Sequence, residues 1–203
     1  GRWPFQQLNA DTPAALKRRL QKAGIASCCV SQADAVLVSD PDVWNSRLFS
    51  AVAGDPFFLP VPVYNPCLAS WETALCHYRE RGVKAVRFLP GYHTYNLSDS
   101  RCVRAAAKAQ ELGMVPFIQT RIEDERSQHV LMRVAPPDCE DGVAFAQRVA
   151  GAVVFLSAYL SEACRFGTAA NNAFVDISFC EHLDTLAVMA QSIPAHKILF
   201  GSH

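Results

Sequence analysis

The sequence predicts an α/β fold, a (β/α)8 barrel whose first strand and last helix fall outside the chain. Three observations predict it. Short β-rich apolar runs alternate with amphipathic helical stretches from one end to the other, which means a parallel sheet with right-handed crossovers. Seven strand runs are visible, and an eighth placed before Gly1 closes a barrel. No GxGxxG and no GxxxxGKS/T follows any of them, so dinucleotide and P-loop chemistry have no support. A doubly wound open sheet shares the alternation and is the competing fold. The 203 residues are read as one domain, 1–203, short against the roughly 250 of a typical barrel and therefore truncated at both ends.

Each element has a local reason. Asp11-Thr12-Pro13 opens the first helix, with a capping oxygen and then proline in the first turn. Leu16, Leu20 and Ala23 form its buried stripe, and Gly24 ends it. Ile25 to Val30 is the first visible strand. Asp40-Pro41 caps a helix carrying Val43, Trp44, Leu48, Ala51 and Val52. Phe57 to Val63 is the next strand, bent by its two prolines. Trp71, Ala74, Leu75 and Tyr78 mark a helix stopped by Gly82, and Val83 to Leu89 the strand after it. Cys102, Ala105, Ala106, Ala109 and Leu112 share one helical face. Val115 to Thr120 is a strand, followed by a charged loop and a helix from Asp138 to about Ala150. Strands at Ala152–Leu156, Ala173–Ile177 and Ile198–Gly201 alternate with helices at Tyr159–Phe166 and Glu181–Ser192, the latter with a Leu183, Leu186, Val188, Met189 stripe.

Composition narrows the function classes. Nineteen basic and nineteen acidic side chains balance, with no basic tract, which argues against nucleic acid as a partner. The longest nearly apolar run, Ala150 to Leu160, is too short to span a bilayer. The eight cysteines are scattered and never CxxC. Cys28, Cys102, Cys164 and Cys180 lie in apolar neighbourhoods and read as packed thiols rather than a disulfide framework or zinc cluster. A cytoplasmic protein is expected.

Four segments together resemble the amidohydrolase superfamily, in its amidohydrolase-related (amidohydrolase 2) branch. They are Val61-Pro62-Val63-Tyr64-Asn65-Pro66, Gly82-Val83-Lys84-Ala85-Val86-Arg87-Phe88-Leu89-Pro90, Ala173-Phe174-Val175-Asp176-Ile177-Ser178 and Ile198-Leu199-Phe200-Gly201-Ser202-His203. They are similar to that family's third, fourth, seventh and eighth strands, in order. The resemblance implies a barrel with one or two divalent metals, usually zinc, at the carboxyl ends of the strands, activating a bound water. It also implies that Trp3 and Phe5 belong to a loop over the mouth. The ligand positions differ here: no HxH occurs, the strand-five position is Gln119, the strand-six position falls near Ser157, and the terminal Gly-Ser-Asp reads Gly201-Ser202-His203. Amide and hydroxyl oxygens are poor ligands for a transition metal, so no metal and no other cofactor is expected, and a metal-independent enzyme is.

The site candidates lie beyond the strand ends, where barrels carry their chemistry. Arg87, Arg121 or Arg126 would clamp an anionic substrate, a guanidinium fork matching a carboxylate. His93 or His129 would act as general acid or base, with Glu123 or Asp124 orienting it or activating water. The catalytic candidates are His93, Glu123 and Asp124. The substrate-binding set is Arg87, Tyr92, Tyr95, Gln119, Arg121, Asp176 and His203. The competing reading makes the charged loop a solvated connector. The function expected is hydrolysis or decarboxylation of a small carboxylate. The alternative is a catalytically silent barrel that binds a ligand or a protein. Neither nucleic acid nor membrane is an expected partner, and self-association is left open.

Overall fold

The computed structural model describes residues 2–3, 6–7 and 12–201. Strands β1 (Arg2–Trp3) and β2 (Gln6–Gln7) pair antiparallel with each other. The remaining strand pairings are parallel. Strand β3 (Cys28–Val30) pairs with β4 (Phe58–Pro60), and after Val61 and Pro62 the chain resumes as β5 (Val63–Tyr64), which pairs with β6 (Ala85–Phe88). Then follow β7 (Val115–Gln119), β8 (Val153–Leu156), β9 (Ala173–Asp176) and β10 (Ile198–Leu199), each bonded to the strand before it.

That order decides between the two folds. A doubly wound sheet reverses its strand order at a switch point, whereas here sequential strands are neighbours throughout β5 to β10. Residues of β3, β4, β6, β7, β8, β9 and β10 border one internal cavity, so the sheet curls into a barrel wall. Strands β4 and β5 are two halves of one bent strand. Pro60 and Pro62 have no N–H to give to a ladder. The strand hands over between neighbours there: Val61 N donates to Val30 O on one side (2.8 Å), and Pro62 O accepts from Arg87 N on the other (2.9 Å). The side chain of Asn45 completes Val63, its Nδ2 donating to Val63 O (2.8 Å) and its Oδ1 accepting from Val63 N (3.0 Å).

Helices cover the outer face: α1 (Pro13–Lys22), α2 (Asp42–Val52), α3 (Trp71–Glu80), α4 (Ser100–Glu111), α5 (Cys139–Arg148), α6 (Leu160–Ala169) and α7 (Thr185–Ala190). Thr12 caps α1 through Oγ1, as its sequence position predicts, and Asp99 and Asp138 cap α4 and α5. Between sheet and helices Val86, Phe88, Ile118, Phe155 and Val175 pack against Ala105, Ala109, Phe145 and Phe166. Phe155 and Phe166 stack with centroids 3.9 Å apart. Gly142 of α5 makes room for them, since a Cβ there would lie 2.7 Å from Phe166 Cε1.

The structure corrects three local readings. Helix α7 is shorter than the predicted Glu181–Ser192, and of its expected stripe Leu183 and Leu186 are exposed while Met189 is buried. Side chains compete for the backbone at its start: Thr185 Oγ1 donates to Cys180 O and His182 O, and His182 Nδ1 accepts from Asp184 N. Helix α1 has no fully buried residue: Leu16 and Leu20 are half-buried, packing against the small core of Leu48, Val52, Phe57 and Phe58 while also bordering the cavity. The strand read at Ile25 to Val30 forms only over Cys28–Val30, and a 3-10 turn at Ala33–Leu37 follows it. Cys102 and Cys180 are buried thiols, and Cys28 and Cys164 half-buried ones. No helix among the described residues is long and apolar enough to cross a membrane.

Candidate active site

Period-two alternation puts one set of side chains inside the barrel. Val86 and Phe88 face the helices, so Arg87 faces inward; by the same rule Phe117 and Gln119, Val154 and Leu156, and Asp176 face inward from β7, β8 and β9. They line a cavity of about 580 Å3. Leu16, Leu20, Leu59, Leu199 and Phe200 add apolar wall, and Cys29 stands on β3.

The polar groups gather in one region. Arg87 is the cation among the cavity-lining residues, and its Nε is buried without a hydrogen-bond partner among the described residues. Burial pulls its pKa down to about 10, against the charge-favouring pull of Asp176 and then Cys29. It therefore stays protonated at neutral pH. Gln119 Nε2 donates to Arg121 O and to Ser157 Oγ (2.8 Å). Ser157 N donates to Asp176 Oδ1 (2.8 Å), and Ser178 Oγ reaches both Asp176 oxygens (3.0 Å each). Gly201 closes over Asp176, and a Cβ there would collide with Oδ2. Ser157 holds all this in a left-handed backbone, φ +57°.

The sequence-predicted residues divide. Arg87, Gln119 and Asp176 share the cavity. Arg121 does not line it: its guanidinium is buried behind the β7 and β8 ends, paired with Glu162 through Nη1 (2.6 Å) and Nη2 (2.7 Å), and stacked 3.8 Å over the Tyr159 ring. Asp124 is tied to Arg126 on the surface, whose guanidinium first, and backbone N–H second, hold its carboxyl well below the usual range. Tyr92 lies near Ile122 and Glu123, its pKa pushed up to about 12 mainly by burial. Tyr95 is a core residue whose hydroxyl accepts from Leu89 N (3.0 Å). His93 packs against Ala35 and Val36 under the 3-10 turn, and burial lowers its pKa. None of Tyr92, His93, Tyr95, Glu123 and Asp124 lines the cavity. His129 is exposed, its Nδ1 accepting from Leu131 N. His203 and Phe5 lie outside the described residues, and Trp3 lies in β1.

A larger, open groove of about 750 Å3 runs outside the barrel past Tyr159, Cys164, Phe179 and Arg126. Its cation is already matched, Arg126 bonding Asp124 and Glu181. The enclosed cavity, where Arg87 has no such match among the described residues, is the better anion site. Sequence reading missed Glu162 and the role of Ser157. The Tyr159-x-x-Glu162 spacing at a helix start was the legible signal for the first. For Ser157 there was none, because nothing in the sequence marks its φ.

A divalent metal would need several His, Cys, Asp or Glu donors converging on one point. Among the described residues no three His, Cys, Asp or Glu side chains come together. The cavity offers one carboxylate, already bonded to Ser157 and Ser178, beside a guanidinium. The described residues do not fit a metal ligand set.

No protein-family model and no curated protein matches the sequence. Solved structures do. The chain superposes on 2,6-dihydroxybenzoate decarboxylase from Rhizobium with TM-score 0.67 at 14% identity, over 94% of this chain and 77% of the other. With 5-carboxyvanillate decarboxylase from Sphingomonas paucimobilis the TM-score is 0.69 at 12% identity, over 91% and 70%. With an amidohydrolase from Mycobacterium avium subsp. paratuberculosis it is 0.63 at 14% identity, over 94% and 63%. The fold is that of the amidohydrolase-related barrels. The four segments that carried the resemblance in sequence contribute β5, β6, β9 and β10 of this wall.

Proposed function

We propose that the cavity binds a small aromatic carboxylate and that the protein is an amidohydrolase-like hydrolase or decarboxylase acting on it. The observation that carries this reading is Arg87, a cation enclosed among apolar walls with a buried, unpartnered Nε. A guanidinium there matches a carboxylate, while Phe117, Leu156 and Leu59 suit a ring. Two of the solved structures with this fold are decarboxylases whose names specify benzoate-type carboxylates. Gln119 and Asp176 border the same space. In decarboxylation the ring–carboxyl bond breaks, carbon dioxide leaves, and the ring carbon keeps the electron pair and takes a proton. Asp176 is the cavity-lining carboxyl group and is the residue proposed to pass that proton. His93, Glu123 and Asp124, away from the cavity, are proposed to serve the surrounding loops. We place the protein in the cytoplasm, where buried thiols such as Cys102 and Cys180 stay reduced.

A second reading, a silent barrel that binds its ligand without turning it over, is favoured by Gln119. Its amide nitrogen is spent on Arg121 O and Ser157 Oγ in a closed network, not directed at a reacting group. Calorimetric titration with 2,6-dihydroxybenzoate, followed by assay of carbon dioxide release, separates the two. Binding with release supports the enzyme, and binding alone supports the second reading. No binding by the wild type, or equal binding by Arg87→Met, sinks both.

A further inference from the structure

A buried arginine stands just beyond β7. Arg121 is nearly inaccessible and charged, yet it does not face the cavity. Its guanidinium is gripped by Glu162 through two nitrogens, by the Tyr159 ring, and by Ser157 O, which accepts from Nη1 at 2.9 Å. Glu162 is itself fixed, since Oε2 also accepts from Tyr159 N at 2.8 Å in the first turn of α6. Burial works against the arginine's charge, but the Glu162 bonds, aided by Glu162's charge, Tyr159 and Glu125, hold its pKa above the ordinary value.

What the pair grips is the one residue of the cavity floor with an unfavourable backbone. Serine in the left-handed region is uncommon and must be over-determined by its surroundings. Two donors converge on its carbonyl, Thr120 Oγ1 at 2.7 Å and Arg121 Nη1. That conformation turns Ser157 N toward Asp176 Oδ1 and Ser157 Oγ toward Gln119 Nε2 and Ser178. Arg121 holds the floor at a second point, its own carbonyl accepting from Gln119. If Ser157 relaxed to negative φ, Asp176 would lose its backbone donor and Gln119 one of its partners.

We infer that Arg121 and Glu162 are a positioning pair that holds Ser157 left-handed and thereby sets the geometry of Gln119 and Asp176 in the carboxylate cavity. The inference rests on the reading of that cavity as an anion site. Arg121 acts through Ser157 and touches no substrate.

The test exploits glycine, which adopts φ +57° without strain. In Arg121→Met, affinity for 2,6-dihydroxybenzoate is expected to fall about ten- to a hundredfold, the scale of misplaced site groups. In a Ser157→Gly background the same Arg121→Met change is expected to cost less than about threefold, because there is no strained backbone left to hold. Hydrogen exchange at the Ser157 amide is the ligand-free readout. It is expected to be protected in the wild type and to lose protection in Arg121→Met while the β9 amides keep theirs. Should Arg121→Met not fold, Glu162→Gln weakens the same grip and is expected to give the same pattern at smaller size. Equal loss of affinity in both backgrounds, or an unchanged Ser157 amide in a folded variant, overturns the inference. A wild type that fails to bind the probe overturns the anion-site reading, and the amide readout then decides the positioning role by itself.

Discussion

Arg87 faces the cavity because Val86 and Phe88 on either side face the helices, and a one-residue slip in β6 would exchange charge for core. Its placement fixes both the sign and the pH range of what the cavity holds. With a pKa near 10, the guanidinium is charged below that value and neutral above it. A bound carboxylate, ionised throughout the neutral range, is therefore expected to be held evenly from pH 6 to 9 and lost as pH rises through about 10. Affinity titrations of 2,6-dihydroxybenzoate across that range check it, and unchanged affinity above pH 11 would mean that the guanidinium keeps its charge there. Arg87→Met is expected to weaken binding by about 1.5–3 kcal/mol, the usual worth of a hydrogen bond to a charged group, or roughly ten- to a hundredfold. Asp176→Asn keeps the shape and one acceptor oxygen, enough for the Ser157 N–H, and removes the acid, so it is expected to preserve binding and abolish turnover.

At the scale of elements, two polar side chains complete backbone that the strands and helices cannot complete themselves. Asn45 of α2 serves Val63 through both its amide atoms and also meets Tyr78 Oη at 2.9 Å. Asn45→Ala strands a buried N–H and C=O in the bent strand and is expected to destabilise the protein by about 2–3 kcal/mol. Lys197, 7% exposed, donates to Gly167 O (3.2 Å) and Ala170 O (3.0 Å) at the carboxyl end of α6. A cation there satisfies open carbonyls and meets the negative end of the helix dipole, so Lys197→Met is expected to cost about 1–2 kcal/mol. Urea unfolding of both variants measures these values, and a change under about 0.5 kcal/mol, the scale of ordinary surface substitutions, refutes either assignment. The elements themselves were legible wherever a cap, a period and a stop coincided, as in α1 with Thr12, Pro13 and Gly24. The bent strand was legible from Pro60 and Pro62. Helix α7 was not, because Thr185 and His182 bond to nearby backbone and no periodicity reports that competition.

Across the whole molecule, Arg87, Gln119 and Asp176 come together because alternation turns all three inward from neighbouring strands, whereas the sequence offered Arg87 as a clamp beyond its strand and Gln119 at the strand-five ligand position of the resemblance. Residues beyond the strand ends could not be assigned a side, since loop direction depends on partners far away in sequence, as Arg121 depends on Glu162. His93 is the other such case, and its placement sets how the fold responds to acid. It sits against Ala35 and Val36 with both ring nitrogens buried, the backbone of those two residues only partly offsetting the burial. Burial disfavours its charged form, so its folded pKa lies below the unfolded value of about 6.5. A group with a depressed folded pKa contributes stability above the unfolded value and loses it as pH falls. The carboxylates act in the same direction but later: Asp55, Asp99, Asp124 and Glu140 are all held below their usual range, mainly by Lys17, Arg101, Arg126 and Arg165, and are protonated first in the unfolded chain below about pH 4. Their exposure keeps each contribution small. Stability is thus expected to decline in two stages, one beginning near pH 6.5 and one below pH 4. Urea midpoints measured between pH 8 and pH 3 should show both stages in the wild type, and His93→Phe should lose the first and keep the second. A single stage below pH 4 in the wild type would mean that His93 is not buried uncharged beneath the 3-10 turn.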